Sequence, residues 1–369
     1  MRAFTAGAIL LATLAAPARA RVQILQSTGG IPAHIAGSFR EPMAFQETDA
    51  GQYFIFDRRG HAVFTIAQDA AKKIVEIGAE TGRVLDPTAF DIDAAHGTFV
   101  IADAPLRKQR IQMFTAEGVR MSGFTLLSRE VARITLGTMV LNGIGSIQFT
   151  GHSVLINQAE TGALISELGP FGQPIRAFGE LRATGQESDP DVHLGLNAGL
   201  PLIDPSGGFY FVFSAGVPMF RKYDGTGRLL FERHIEGPEV DEYVRTMPAR
   251  WPKRTTGEGD LLPLIPPAIR TAGVDRQGRL WIALTQPFTY VYDGIGEKIA
   301  TVQFKGADIL LPNSLFFSKD GRILVTPGCY EFRVDGLRPS HEDHYGTKIT
   351  KVLCDLCIVV IFVVNRRTT

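Results

Sequence analysis

The sequence predicts an all-β protein, a six-bladed β-propeller whose N-terminal strand closes the last blade. Three observations carry that expectation. A short motif, a turn with Asp or Gly followed by three or four apolar residues, occurs six times. Its glycines, Gly51, Gly97, Gly151, Gly207, Gly278 and Gly321, stand 46, 54, 56, 71 and 43 residues apart, the spacing of propeller blades. The chain also holds 39 Gly and 24 Phe, a composition of many turns and many apolar strand residues.

The first twenty residues precede this pattern. MRAFTAGAILLATLAAPARA has Arg2, an apolar stretch from Ala6 to Ala16 and the small-residue pattern Ala18-Arg19-Ala20. That is the layout of a secretory signal cut after Ala20, and it predicts a periplasmic or extracellular protein. The stretch is too short to span a bilayer comfortably, so no transmembrane span is expected. Three cysteines, Cys329, Cys354 and Cys357, exclude a disulfide framework.

The propeller is placed at 21–336. Its first segment, VQILQ at 22–26, has no turn motif of its own. The sixth unit lacks a fourth strand after CYEFRV, so VQILQ is expected to pair there and close the ring. The six turn-plus-strand cores are TDAGQYFIF, DAAHGTFVI, FTGHSVLI, DPSGGFYFVF, DRQGRLWIAL and SKDGRILV. An inner strand precedes each, from MAFQ in the first unit to SLFF in the sixth, and a third segment such as RIQMF follows. Five units add a fourth: KIVEIG, RMSGFTLL, PIRAFGEL, LLFERHI and KIATVQF. β-Branched and aromatic runs bounded by Gly, Asp and Pro are strand signals.

Residues 237–268 interrupt the array between the fourth and fifth units. They carry a helix candidate at 240–247 and a Pro-rich loop, an excursion over one face. Trp251 within it either anchors the loop or stacks on a ligand. From 337 to 369 an atypical tail follows. His341, Glu342, Asp343 and His344 lack the pattern of a metal site, and Cys354-Asp-Leu-Cys357 is a lone CxxC.

The best-formed unit, FDID..HGTFVIAD....RIQMF...G between Pro87 and Gly118, resembles an NHL repeat, a family of six-bladed propellers. The resemblance runs loosely over 39–336. The last unit, LLPNSLFFSKDGRILVT, is similar to the "PNGLAFSPDG" segment of gluconolactonase-like propellers, with Ser314 in place of the Gly. That similarity implies a divalent-metal-dependent lactone hydrolase, with Asn313 as a metal ligand and Glu41 as the early Glu.

Propellers bind ligands where the residues before each inner strand converge. Those residues here are Glu41, Asp86, Asn142, Asn197, Arg270 and Asn313. Asn and Asp also sit at such places because they make Asx turns and tolerate unusual backbone angles. The other reading is a polar ring for a small ligand or for a hard cation such as calcium, which amide and carboxylate oxygens suit.

No nucleophile elbow, zincin helix or phosphate loop occurs, so no catalytic residue is assigned. Lys plus Arg and Asp plus Glu both number 38, and basic residues are scattered, which points away from nucleic acid. The expected function is therefore a non-catalytic, exported binding platform without a cofactor, whose partner is a protein, a glycan or a small ligand at one face. The alternative is the metal-dependent hydrolase.

Overall fold

The computed structural model describes residues 22–67, 70–126, 134–136, 139–141, 145–255 and 261–334. The expected signal segment 1–20, Asn142, residues 256–260 of the insert and the tail 337–369 lie outside the described residues.

Strand β1 (Gln23–Gly30) leads into a short helix, α1 (Ala33–Ala36). Four antiparallel four-stranded meanders follow. The first is β2–β5 (Pro42–Glu47, Tyr53–Asp57, Ala62–Ala67, Ala70–Val75). The second is β6–β9 (Ala89–Asp93, Thr98–Asp103, Arg110–Phe114, Arg120–Thr125). A hairpin, β10–β11 (Ile134–Leu136, Met139–Leu141), separates it from β12–β15 (Ile147–Phe149, Val154–Gln158, Ala163–Leu168, Pro174–Glu180). Helix α2 (Pro190–Leu196) precedes β16–β19 (Gly199–Ile203, Phe209–Phe213, Met219–Tyr223, Leu229–His234).

The insert holds helix α3 (Pro238–Arg245) and a hairpin, β20–β21 (Lys253–Thr255, Leu261–Pro263). The helix starts before the expected 240–247 because Pro238 pre-sets the backbone of its first turn. The last strands are β22–β25 (Ile269–Val274, Leu280–Leu284, Thr289–Tyr292, Lys298–Lys305) and β26–β28 (Ser314–Phe317, Arg322–Thr326, Tyr330–Arg333).

The arrangement is all-β and propeller-like. The first strands of the meanders neighbour one another around a closed circuit, β2–β6–β12–β16–β22–β26 and back to β2. Burial follows position in each sheet. Second strands such as β17 and β23 are buried at every residue, whereas β19 is mostly exposed. A sheet sandwiched between two others can bury both faces of its middle strands, and this explains their unbroken apolar runs. Phe54, Phe99 and Phe114 pack across the first two sheets with ring centroids 5.6 and 5.2 Å apart. Such pairs add about 0.5–1.5 kcal/mol each beyond simple area burial.

Six separate four-stranded sheets are expected from the motif count, and here the structure differs. Among the described residues, four four-stranded sheets are separate, β10–β11 and β20–β21 are two-stranded, and the other eight strands form one sheet, β22-β23-β24-β25-β1-β28-β27-β26. The cause is β1, which hydrogen-bonds on both edges. Gln23–Gln26 run parallel to Val302–Lys305 of β25, then Ser27–Gly30 run antiparallel to Tyr330–Phe332 of β28. VQILQ, expected to pair with the last unit, pairs instead with β25, and the following residues Ser27–Gly30 pair with β28, so the one strand fuses the two sheets. Gly30 ends the strand with φ +145°, and a Cβ there would lie 2.4 Å from the Cys329 carbonyl oxygen. Only glycine permits that approach.

Candidate functional site

The circuit of first strands surrounds a cavity of roughly 170 Å³, with lining residues from β2, β6, β12, β16, β22 and β26. Polar side chains enter it at two levels.

At the mouth, just before or at the start of the strands, stand Glu41, Arg270 and Asn313. Arg270 donates from Nε (2.8 Å) and from Nη2 to the side-chain oxygen of Asn313. Glu41 is engaged elsewhere. Arg58 grips both of its carboxylate oxygens at 2.5 and 3.0 Å, and Arg59 approaches at 3.5 Å. Burial pulls the Arg270 guanidinium below its usual pKa, opposed by the charge of Glu41. Three guanidiniums therefore gather around one carboxylate and one neutral amide. Among the described residues, Arg270 has no hydrogen-bonded carboxylate.

Of the six residues expected at the mouth, the structure brings these three together. Asp86 stands apart. Its side chain is 68% exposed, and its backbone N–H donates to His61 Nδ1 at 3.1 Å. Its φ of +51° matches the reading of a residue chosen for an unusual backbone angle. Asn197 is fully buried after α2. Its side-chain oxygen accepts from the Arg182 backbone N–H at 2.9 Å, and its Nδ2 donates to the His193 and Arg182 carbonyls. It fixes the loop ahead of β16 and does not line the cavity. Asn142 lies outside the described residues. Trp251 is half-buried against Val192, Leu196, Ala215 and Ile265, the packing of a loop anchor.

Deeper in the cavity lie two residues that position-by-position reading of the mouth missed, Asp91 on β6 and Gln46 on β2. Asp91 accepts from Gln46 Nε2 at 3.1 Å and from the Phe149 backbone N–H at 2.7 Å, so it links three consecutive sheets. Burial pushes its carboxyl up to about 7, against those two hydrogen bonds and a third from the Ile92 backbone N–H, which lower it. Gln46 is 8% exposed, and its side-chain oxygen is buried without a hydrogen-bond partner among the described residues. A signal for both was present in the sequence, since FDID and AFQ each set a polar residue directly after a Phe in an inner strand.

The metal implied by the gluconolactonase-like resemblance does not fit this mouth. The Asn313 oxygen faces the Arg270 guanidinium, and both Glu41 oxygens face Arg58. A divalent ion there would sit against positive charge, with its anionic ligand already neutralised. Among the described residues, no group of three or more His, Cys, Asp or Glu converges on one point.

No protein-family model matches the chain, and no curated relative does. Solved structures similar to it include a protein of unknown function from Bacteroides caccae, at 12% identity, covering 71% of this chain and 81% of that one, with a TM-score of 0.42. Another is Kuenenia stuttgartiensis hydrazine synthase, at 12% identity, covering 78% and 92%, with a TM-score of 0.43. Among the described residues, no helix is long and apolar enough to cross a membrane.

Proposed function

We propose that this chain is an exported, six-bladed, NHL-like propeller that binds a small organic anion at the mouth of its central channel and does no chemistry on it. The observation that carries the reading is Arg270, a partly buried cation held in place by the neutral amide of Asn313. A buried charge is normally paired, and a guanidinium suits a carboxylate in a two-pronged contact. Asn313 acts here as a brace that orients Arg270 without supplying a countercharge, and the nearby Glu41 is itself held by Arg58.

The closed circuit of first strands supports the six-bladed reading, with β1, β26, β27 and β28 counted as one blade and β22–β25 as another. The cavity volume favours a small molecule over a glycan or protein segment, since pockets for drug-sized ligands run to roughly 300–1,000 Å³. Export rests on the signal layout of residues 1–20, and a mature N-terminus at Arg21 in the exported protein would bear it out.

The test is a thermal shift on the mature chain with a panel of one- to six-carbon carboxylates and inorganic phosphate. A ligand that binds only the folded form raises Tm. At least one carboxylate is expected to do so, and Arg270→Gln is expected to remove the effect while leaving the unliganded Tm near that of the wild type. If every panel member leaves Tm unmoved, the mouth is not an anion site.

A further inference from the structure

We propose that Asp91 and Gln46 form a second subsite deeper in the same channel that takes an ammonium group, so that the cavity as a whole is built for a small zwitterion of amino-acid size. This deepens the reading of the mouth as an anion site and rests on it for the ligand's other end.

Among the described residues, the deep wall leaves one buried acceptor without a donor and one carboxyl without a cation. A carboxylate has about four lone-pair positions. The described partners of Asp91 are three N–H groups, Gln46 Nε2, Phe149 N and the Ile92 backbone N–H, and no cation. Among the described residues, the Gln46 side-chain oxygen beside it receives no donor, although it is buried. Leaving such a buried group unmet is costly, so a native protein keeps it for a reason. An ammonium, with three donors and a positive charge, meets both needs at once. The absence of a countercharge also explains why burial lifts the Asp91 carboxyl so far.

The two subsites are separated along the channel. Asp91 lies two positions before the end of β6, whereas Arg270 and Asn313 lie four positions before the ends of β22 and β26. Two residues of strand rise by roughly 6–7 Å. Among the described residues, a cation with no hydrogen-bonded carboxylate therefore stands at the mouth and a carboxyl with no cationic partner stands further in, both lining one cavity. That pairing of opposite, separated charges is complementary to a molecule carrying a carboxylate at one end and an ammonium at the other.

The experiment measures calorimetric affinity of the mature chain at pH 8 for matched probes: straight-chain ω-amino carboxylates of two to six carbons, common α-amino acids, and the same carboxylates without the amine. In the wild type, at least one amino carboxylate is expected to bind about tenfold or more tightly than its amine-free counterpart, the worth of one charged hydrogen bond. Asp91→Asn, which keeps the shape, is expected to bring that ratio close to one without weakening the amine-free carboxylate. Gln46→Met serves as a second variant and is expected to lower the ratio several-fold. A ratio near one in the wild type, or a ratio that survives both variants, overturns the deep subsite. In that case the anion site at the mouth still stands if Arg270→Gln abolishes carboxylate binding. Amino carboxylate binding that is indifferent to Arg270→Gln overturns the mouth and with it the zwitterion. No binding by any probe at 10 mM overturns both.

Discussion

Arg322 of β27 holds Glu47 of β2 through both carboxylate oxygens, at 2.7 and 2.8 Å, and so ties the last sheet to the first. The same guanidinium reaches Tyr53 at 2.6 Å, Glu331 at 2.9 Å and Asp320 at 2.7 Å, and Tyr53 in turn donates to Glu331 at 2.6 Å. One cation thus serves three carboxylates at the seam of the ring. Burial raises the Glu47 carboxyl above its usual value in spite of the Arg322 contact, and Asp320 and Glu331 push it the same way. Burial pulls the Arg322 guanidinium down, but its bonds to Glu331, Tyr53, Glu47 and Asp320 together hold it up. The carboxyl of an isolated ion pair would be lowered. Here the carboxylates compete for one partner, so the arginine side governs the cluster.

Removing Arg322 should therefore cost far more than removing one acid. Arg322→Met leaves three carboxylates crowded together and is expected to lower stability by about 2–4 kcal/mol, near the range for breaking a buried pair. Glu47→Gln relieves that crowding and should cost less than about 1 kcal/mol. Urea unfolding of the two variants measures the difference. Equal losses would mean that the cluster is a set of independent pairs.

Asp91 sets a pH dependence. Its carboxyl is raised to about 7 in the folded protein, so the folded state binds the proton more tightly than the unfolded chain does. That contribution to stability is present below the ordinary carboxyl pKa and is lost as pH rises through about 7. Stability should fall by about 2 kcal/mol between pH 5 and pH 8 on this account. Asp91→Asn should flatten that slope and raise Tm at pH 8. A slope that persists unchanged in the variant would assign it to other groups.

Asn313→Ala separates the two readings of the mouth. As a brace for Arg270, Asn313 contributes a neutral hydrogen bond, and its loss should weaken carboxylate binding by only about fivefold, or roughly 1 kcal/mol. As a metal ligand its loss would remove a calcium response. The expected result is that 5 mM calcium leaves the wild-type Tm where EDTA sets it. A calcium-dependent rise that disappears in Asn313→Ala would restore the hydrolase reading.

Trp251 anchors the insert on Val192, Leu196, Ala215 and Ile265. Because it is only half-buried, Trp251→Ala should cost about 1–2 kcal/mol, less than a core truncation. The cost should be local. Limited proteolysis is expected to cut within 246–264 several-fold faster, with ligand binding at Arg270 retained. Lost binding would instead make Trp251 part of the site.

Much of the strand order was legible because each sheet is sequence-local. The fourth strands expected from PIRAFGEL and LLFERHI are observed at Pro174–Glu180 and Leu229–His234. Period and turn residues are properties of the chain itself, and antiparallel meanders translate them directly into neighbours. The seam was legible in part. A missing strand in the last unit pointed to VQILQ as its partner, but the parallel pairing of Gln23–Gln26 with β25 was not foreseen, because edge-to-edge joining of two sheets leaves no mark in local sequence.

What the sequence by itself determined was the all-β, propeller-like array and three residues of the mouth, Glu41, Arg270 and Asn313. It could do this because strand periodicity and turn chemistry act over a few residues. What only the tertiary structure decided was which charges remain unmet. Asp86 turns out to face His61, and Asn197 turns inward to hold a loop. Asp91 and Gln46 meet 45 positions apart in the chain, on different sheets. Burial and countercharge are set by the sum of all neighbours across the channel, and that sum exists only once the ring has closed.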